Sequence, residues 1–345
     1  MTDDKLTNTY RSKTILVTGG VGAIGSNLVR ALSKLDAKEI IVLDNLSASK
    51  KWNLPNVNNV RFVEGSIVDE SCLKFVFSKK PSLVFHLAAF FANQNSVDYP
   101  ERDLEVNGLG TLKLLQYSEL SKVNRFVYAS SGCSIYGSTA PLPLKEDFVS
   151  MQLTTPYQIT KMLGELYANF FINHYEMDIV KARFFNSYGP GEIPGQYRNV
   201  IPNFIYWALK KKSLPITGDG RATRDFTFVD DLVNGLLLLG HNENARGQEF
   251  NLAGGREIEI GYLAEVINKL TNNPGGIHFS PTRKWDTKKR LLASIEKAQN
   301  VVGYSPSMNF EDGLLKTIQW FNDNWHEIDS AADFPPGIYS ALPQK

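Results

Sequence analysis

Short apolar runs punctuate the first half of the chain at Thr14–Val17, Ile40–Leu43, Val60–Val63, Leu83–Leu87 and Phe126–Ala129, each rich in branched or aromatic residues. Between several of them the apolar positions take a helical period: Leu28, Val29, Leu32 and Leu35 after the first run, and Val106, Leu109, Leu112 and Leu115 later. Strands that alternate with helices predict parallel pairing with helices on both faces of the sheet, a doubly wound α/β lobe. After about residue 183 the pattern loosens into turn-rich stretches such as Gly189-Pro190-Gly191 and Asn272 to Gly276. This part reads as a smaller, irregular α/β lobe closing over the C-terminal edge of the sheet, where ligands of open α/β folds sit. The expected division is residues 12–182 for the first lobe, with 225–250 returning to it. Residues 183–224 and 251–330 form the second lobe, and 331–345 an extended tail.

Composition narrows the setting. The 345 residues carry 37 Lys and Arg against 36 Asp and Glu, so no basic field for grasping nucleic acid exists. No apolar run approaches the roughly 20 residues needed to cross a bilayer, and Met1 to Lys13 is polar. Cys72 and Cys133 are too few for a disulfide framework or a thiolate metal site, so no metal is expected. A cytoplasmic protein that meets charged ligands at a local site is the simplest expectation.

Such a site begins at Thr18-Gly19-Gly20-Val21-Gly22-Ala23-Ile24-Gly25, between the first predicted strand and the first helix. Glycines there allow a tight turn and close approach of backbone to a pyrophosphate, and the helix N-terminus supplies free N–H groups and partial positive charge. Asp44 ends the second strand, near the spacing at which a carboxylate takes adenosine ribose hydroxyls. It would repel a phosphate there, which favours NAD over NADP.

Tyr157 and Lys161 lie four apart after Thr155-Pro156, a favoured helix start that places both on one face. A phenol titrates near pH 10 unless helped, and a neighbouring ammonium stabilises the phenolate. Tyr206 and Lys210 share the interval, but in the irregular lobe, where the surface of an amphipathic helix is expected. The strand ending Tyr128-Ala129-Ser130-Ser131 brings hydroxyls towards Tyr157. His86, at a strand end, reads as a packed structural residue.

Taken in order, the residues resemble the extended short-chain dehydrogenase/reductase superfamily, and within it the nucleotide-sugar epimerases and dehydratases. The motifs are the glycine loop, Asp44-Asn45, His86-Leu87-Ala88-Ala89, Glu105-Val106-Asn107, Ser130-Ser131 through Tyr136-Gly137, Tyr157 to Lys161, Arg183-Phe184-Phe185-Asn186 and Arg224-Asp225-Phe226. The resemblance runs from about Lys13 to Trp320 and implies a Rossmann-type first lobe. It implies an NAD site formed by Gly19, Gly22, Ala23, Ile24, Gly25, Asp44, Asn45, Ser66, Ile67, Leu87, Ala88, Ala89, Asn107, Ser130, Tyr157, Lys161 and Phe184, with Phe185 also near the nicotinamide. It also implies a nucleotide-diphosphate sugar held by Asn186, Asn199, Val200, Arg224, Arg283 and Asp286, UDP being the commonest nucleotide of the family. Homodimerisation through the helices around 104–120 and 157–175 is implied as well.

By the same resemblance, Tyr157 removes the sugar 4-hydroxyl proton while hydride passes to NAD. The dehydratases carry an Asp-Glu pair, and decarboxylases a Glu, where this chain has Gly132-Cys133-Ser134, so 4-epimerisation is expected. The alternatives are a 4,6-dehydratase, another epimerase exploiting Cys133, or a non-catalytic binder of NAD and sugar nucleotides. One departure stands out. The family's usual Ser or Thr five residues before the Tyr-Gly glycine is Gly132 here, and Ser131 or Ser134 would have to replace it. Selection of a 2-acetamido group is expected near Arg290 to Leu292.

Overall fold

A computed structural model describes residues 3–283, 286 and 288–335; the rest of the expected tail lies outside the described residues. Seven strands form one parallel sheet: β1 (Thr14–Thr18), β2 (Glu39–Asp44), β3 (Val60–Glu64), β4 (Leu83–His86), β5 (Arg125–Ser131), β6 (Ile179–Phe184) and β7 (Glu249–Leu252). Their order across the sheet is β7-β6-β5-β4-β1-β2-β3, with every pairing parallel. The chain leaves β1 towards β2 on one side and later returns past it to β4 on the other. That reversal opens a crevice at the C-terminal ends of β1 and β4. β1, β2, β4 and β5 are buried on both faces because helices cover both, as their apolar runs required, and the edge strand β3 is partly exposed.

Two core clusters sandwich the sheet. One gathers Ile15, Val17, Leu28, Leu32, Phe85, Leu236 and Phe250, and the other Leu16, Ile41, Val84, Leu115, Phe126 and Ile179. The second lobe has its own core of Ile201, Phe204, Ile216, Phe226, Leu263, Phe310 and Phe321.

The lobes interleave more than the sequence pattern suggested. The return to the sheet runs on to Leu252, and the helix Glu296–Val302 packs Ala298 and Val302 into the first core. Part of 251–330 therefore belongs to the first lobe. The first lobe also starts earlier than residue 12, because the helix Asp3–Tyr10 buries Tyr10, whose hydroxyl donates to Leu237 O at 2.6 Å. The chain beyond residue 330 is not free at its start: Ala331 closes the helix Trp325–Ala331, and the Phe334 ring stacks on Tyr206.

One helix face differs from its expected phase. A π turn over Leu104–Gly110 precedes the helix Thr111–Leu120. The extra residue per turn rotates Leu109 into solvent, while Asn107, Gly108, Gly110, Thr111, Leu114 and Leu115 face inward. Among the described residues no helix is long and apolar enough to cross a membrane.

Candidate active site

The crevice is lined at one end by the glycine loop. Gly19 has φ +68°, and a Cβ there would sit 2.6 Å from Ala88 N, so the loop rests directly on the backbone that leaves β4. Gly22 caps the helix Ala23–Ser33 without a side-chain hydrogen bond. The first-turn N–H groups and the positive helix end are thus left for a ligand anion. Gly19, Gly22, Ala23, Ile24 and Gly25 line the cleft there, with Asp44, Asn45, Ser66 and Ile67 beyond them and Leu87, Ala88 and Ala89 opposite. The Asp44 carboxylate accepts from Val21 N (3.0 Å) and Leu46 N (2.9 Å), which fixes it at the end of β2. A backbone cradle too narrow for side chains, an uncapped helix end and a strand-end carboxylate fit a dinucleotide, and NAD is the cofactor these residues would hold.

Asn107 has a different place from the one expected. It does not line the cleft but lies buried beneath it, where its side chain accepts from Phe90 N (2.8 Å) and donates to Phe90 O (3.1 Å). It fixes the loop after β4.

The helix Pro156–Tyr175 starts as the sequence predicted, with Thr155 accepting from Gln158 N and Pro156 in the first turn. Tyr157 and Lys161 both face the cleft beside Ser130, Ser131, Ser134 and Phe184. Lys161 Nζ donates to Ala129 O (2.9 Å) near the end of β5 and lies 5.7 Å from the centre of the Tyr157 ring. The Ser131 hydroxyl donates to Ser134 Oγ (3.0 Å) and stands close enough to the Tyr157 phenol to favour its ionised form. Burial pushes the phenol above its ordinary pKa, the charges of Asp103 and Cys133 add to that, and Ser131 opposes it. Burial lowers the Lys161 ammonium to about 8, against the pull of Asp103.

Asp103 was not anticipated. It is fully buried behind the pair and accepts from Asn107 Nδ2 and Thr160 Oγ1, both at 2.7 Å. A lone Asp in a polar helix carries no sequence signal of such a position.

The missing hydroxyl at Gly132 has a steric cause. Three atoms of the Phe185 ring lie within 2.7 Å of where a Cβ on Gly132 would stand. Phe185 is therefore not at the nicotinamide end; it is fully buried, stacked on Tyr136, and only Phe184 faces the cleft. Ser131 takes the hydroxyl position next to the phenol. Cys133, partly buried on the cleft wall, is raised to about 11 chiefly by desolvation, and its sulfur accepts from Asn186 N.

At the far end, Asn186, Asn199, Val200, Arg224, Arg283 and Asp286 share the cleft wall. Arg224 pairs with Asp286 (2.8 Å) and holds Lys288 O (3.1 Å). Asn199 donates its amide and side-chain N–H groups to Glu192, whose buried carboxyl also lines the cleft. Arg290 turns away to pair with Glu257, and Leu291 is the residue of that segment on the wall. Tyr206 and Lys210 lie outside the cleft, and Tyr206 is buried rather than on a helix surface. It stacks on Trp325 and Phe334, and its hydroxyl accepts from Lys210 and donates to Asp329. His86 is buried between the hydroxyls of Thr18 and Thr111 and is lowered to about 3, a packed neutral imidazole.

A glycine cradle on a seven-stranded parallel sheet, joined to a Tyr-Lys helix, defines an enzyme of the extended short-chain dehydrogenase/reductase class. The chain belongs to the NAD dependent epimerase/dehydratase family, whose profile matches residues 15–253. It is similar to epimerase Mth375 of Methanothermobacter thermautotrophicus, with 54% identity, a TM-score of 0.95 and coverage of 96% of this chain and 98% of that one. It is 34% identical to a UDP-glucose 4-epimerase of Mycolicibacterium smegmatis over 89% of this chain and 98% of the relative. It also resembles the UDP-glucose 4-epimerase of Thermus thermophilus solved with NAD, at 28% identity and a TM-score of 0.83, covering 90% of this chain and 99% of that one. Relatives of comparable identity include a sugar-nucleotide decarboxylase and a 4,6-dehydratase. The chain is thus an NAD-dependent enzyme of sugar-nucleotide chemistry.

Proposed function

We propose that the chain is a nucleotide-sugar 4-epimerase acting on a UDP-linked hexose or N-acetylhexosamine through a transient 4-keto sugar. The observation that carries this reading is the composition of the wall around Tyr157. The carboxylates on the cleft among the described residues are Asp44, Glu192 and Asp286, at the adenosine and nucleotide ends. No carboxyl group accompanies Tyr157 and Ser131 to move protons at neighbouring carbons, as elimination or decarboxylation would need.

Held by the glycine loop and Asp44, NAD would supply a reversible hydride acceptor for the sugar carbon. Tyr157 holds and releases the proton of the 4-hydroxyl, and Ser131, bridged to Ser134, shares that proton's hydrogen bond. Lys161 and the charges around it set how readily the phenol ionises. Asn186, Arg224 and Arg283 offer donors to the diphosphate, and Asp286 accepts from Arg224 and from the ribose hydroxyls. Leu291 is the residue that segment 290–292 offers on the cleft wall to a 2-acetamido group.

Exposed Leu104, Leu109, Ile159, Leu166 and Phe170 on the two neighbouring helices support a homodimer, which sedimentation equilibrium checks.

The test is a panel of UDP-hexoses and UDP-N-acetylhexosamines followed by anomeric proton NMR. The expected result is interconversion of 4-epimers without net NADH and at least a roughly 1,000-fold loss in Tyr157→Phe. A keto product, or loss of water or CO2, would replace this reading with elimination or decarboxylation.

A further inference from the structure

Arg198 is a cation of the second lobe that reaches the cofactor end of the cleft. The segment carrying it is fastened to the first lobe along its length. Asn27 Nδ2 donates to Pro190 O (2.8 Å), and a Cβ on Gly191 would meet Asn27 Nδ2, Ser26 Oγ and Ala23 O at 3.1–3.2 Å. The chain therefore lies directly on the first turn of the helix that follows the glycine loop. Asn53 Nδ2 donates both to Gly191 O (2.9 Å) and to Val21 O (3.0 Å) in the loop itself. Arg198 then lines the cleft and donates from Nη2 to Ala48 O (2.8 Å), a little past Asp44.

Most of this guanidinium is uncommitted. The bond to Ala48 O is the one hydrogen bond its side chain makes among the described residues, and a guanidinium has several more N–H groups to place. Burial lowers its pKa, and the charges of Glu192 and Asp333 oppose that. Neither carboxylate takes up the spare donors. Glu192 Oε1 accepts from Asn199 N and Nδ2, and Glu192 Oε2 has no hydrogen-bond partner. Asp333 pins the segment through its backbone, Asp333 O accepting from Gln196 N (2.8 Å). A cation partly withdrawn from water gains by meeting an anion.

The glycine loop has use for such a cation. Its N–H groups and helix end supply about half a positive charge, against the doubly charged pyrophosphate of a dinucleotide. Other cations on the cleft are engaged elsewhere: Lys161 beside Tyr157, Arg102 over the Phe90 ring, and Arg224, Arg283 and Lys288 around Asp286.

We propose that Arg198 is a cofactor-binding residue supplied by the substrate lobe, donating across the cleft to the pyrophosphate of NAD. The proposal concerns the cofactor and is independent of which reaction follows. The other source of the same chemistry is the diphosphate of the sugar nucleotide, to which the reading above gives Arg224 and Arg283.

Two variants separate charge from tether: Arg198→Gln keeps a donor for Ala48 O without the charge, and Arg198→Lys keeps the charge. Exchange of bound NAD for labelled NAD is timed on each holoenzyme, and calorimetry gives its affinity for UDP. Arg198→Gln should exchange NAD about tenfold faster or more, and Arg198→Lys within about threefold of the wild type. Affinity for UDP should change less than about threefold in both. An Arg198→Gln protein that exchanges NAD no faster than Arg198→Lys would reduce the residue to a tether and overturn the proposal. A loss of UDP affinity as large as the gain in exchange would overturn it too, by assigning the guanidinium to the substrate diphosphate. Crystals of the wild type with NAD and UDP decide the matter if a variant fails to fold. The guanidinium is expected within hydrogen-bonding distance of a pyrophosphate oxygen of NAD, and one turned to UDP or to solvent would overturn the proposal.

Discussion

Replacing Gly132 with Ser restores the hydroxyl that related sequences place there, and the structure predicts that it harms the protein. The new Cβ would meet three atoms of the Phe185 ring, the farthest at 2.7 Å, whereas ordinary contact begins near 3.4 Å. Even that atom must retreat by about 0.7 Å, in an interior packed as tightly as an organic crystal. The ring has nowhere to go: it is fully buried and stacked on Tyr136, and its backbone N–H donates to Leu252 O. Overpacking of this kind costs about 1–3 kcal/mol, and the closed surroundings place Gly132→Ser at the upper end. At roughly 2–4 °C per kcal/mol for chains of this order, the Tm should fall by about 4–10 °C. Phe185→Leu removes the ring and should itself destabilise, yet the double variant should recover most of the Gly132→Ser loss. A thermodynamic cycle of denaturant melts should therefore show a coupling of about 1–3 kcal/mol. Epimerisation by the double variant should stay within about twofold of Phe185→Leu alone, since Ser131 already faces the phenol. A Gly132→Ser protein as stable as the wild type would refute the steric account. A large rate gain in the double variant would refute the assignment of Ser131.

Two further outcomes follow from buried charges. Asp103 raises the pKa of both Tyr157 and Lys161, so Asp103→Asn should lower both. The rising and falling limbs of the kcat–pH profile should each move to lower pH by roughly half a unit to one unit. The other titratable groups on this pair include Cys133, facing Tyr157, His86, facing Lys161, and Tyr128, facing both, and none is changed; an unshifted profile would show Asp103 to be scaffold alone. His86 has a folded pKa of about 3 against an ordinary 6.5, so its contribution is present above pH 6.5 and is lost as pH falls towards 3. Urea melts across pH 7 to 4 should show His86→Gln with a shallower acid loss, by up to about 1.4 kcal/mol per pH unit, and equal slopes would refute the point.

Much of this was legible because it depends on local order. Four of the five strands seen as apolar runs are buried on both faces, which leaves no polar alternation to obscure them, while the edge strand Val60–Glu64 is only partly buried. The glycine loop and the Thr155-Pro156 start of the Tyr-Lys helix were visible because a turn, a cap and a four-residue interval are set by a few neighbouring residues. The phase of 104–115 was not, because a π turn adds a residue that the apolar spacing does not record. The helix Asp3–Tyr10 was hidden by its polar composition, since one buried tyrosine does the anchoring.

What the sequence conceals about the site is long-range complementarity. Gly132 reads as a lost hydroxyl until Phe185 is seen filling the space of its side chain, and Phe184 and Phe185 look equivalent until strand alternation sends them to opposite faces. Asp103 reaches Thr160 across 57 residues, and Lys288 reaches Cys133 across 155, so neither spacing contains a recognisable interval. Lys288 also sits in a run with Lys289 and Arg290, which reads as a solvated surface; the structure brings the first to the cleft wall and turns Arg290 outward to Glu257. Cofactor chemistry is encoded in compact motifs because backbone geometry makes the cradle. Substrate choice is spread over single side chains drawn from different loops, and it is there that a change of one residue can redirect the enzyme without disturbing the fold.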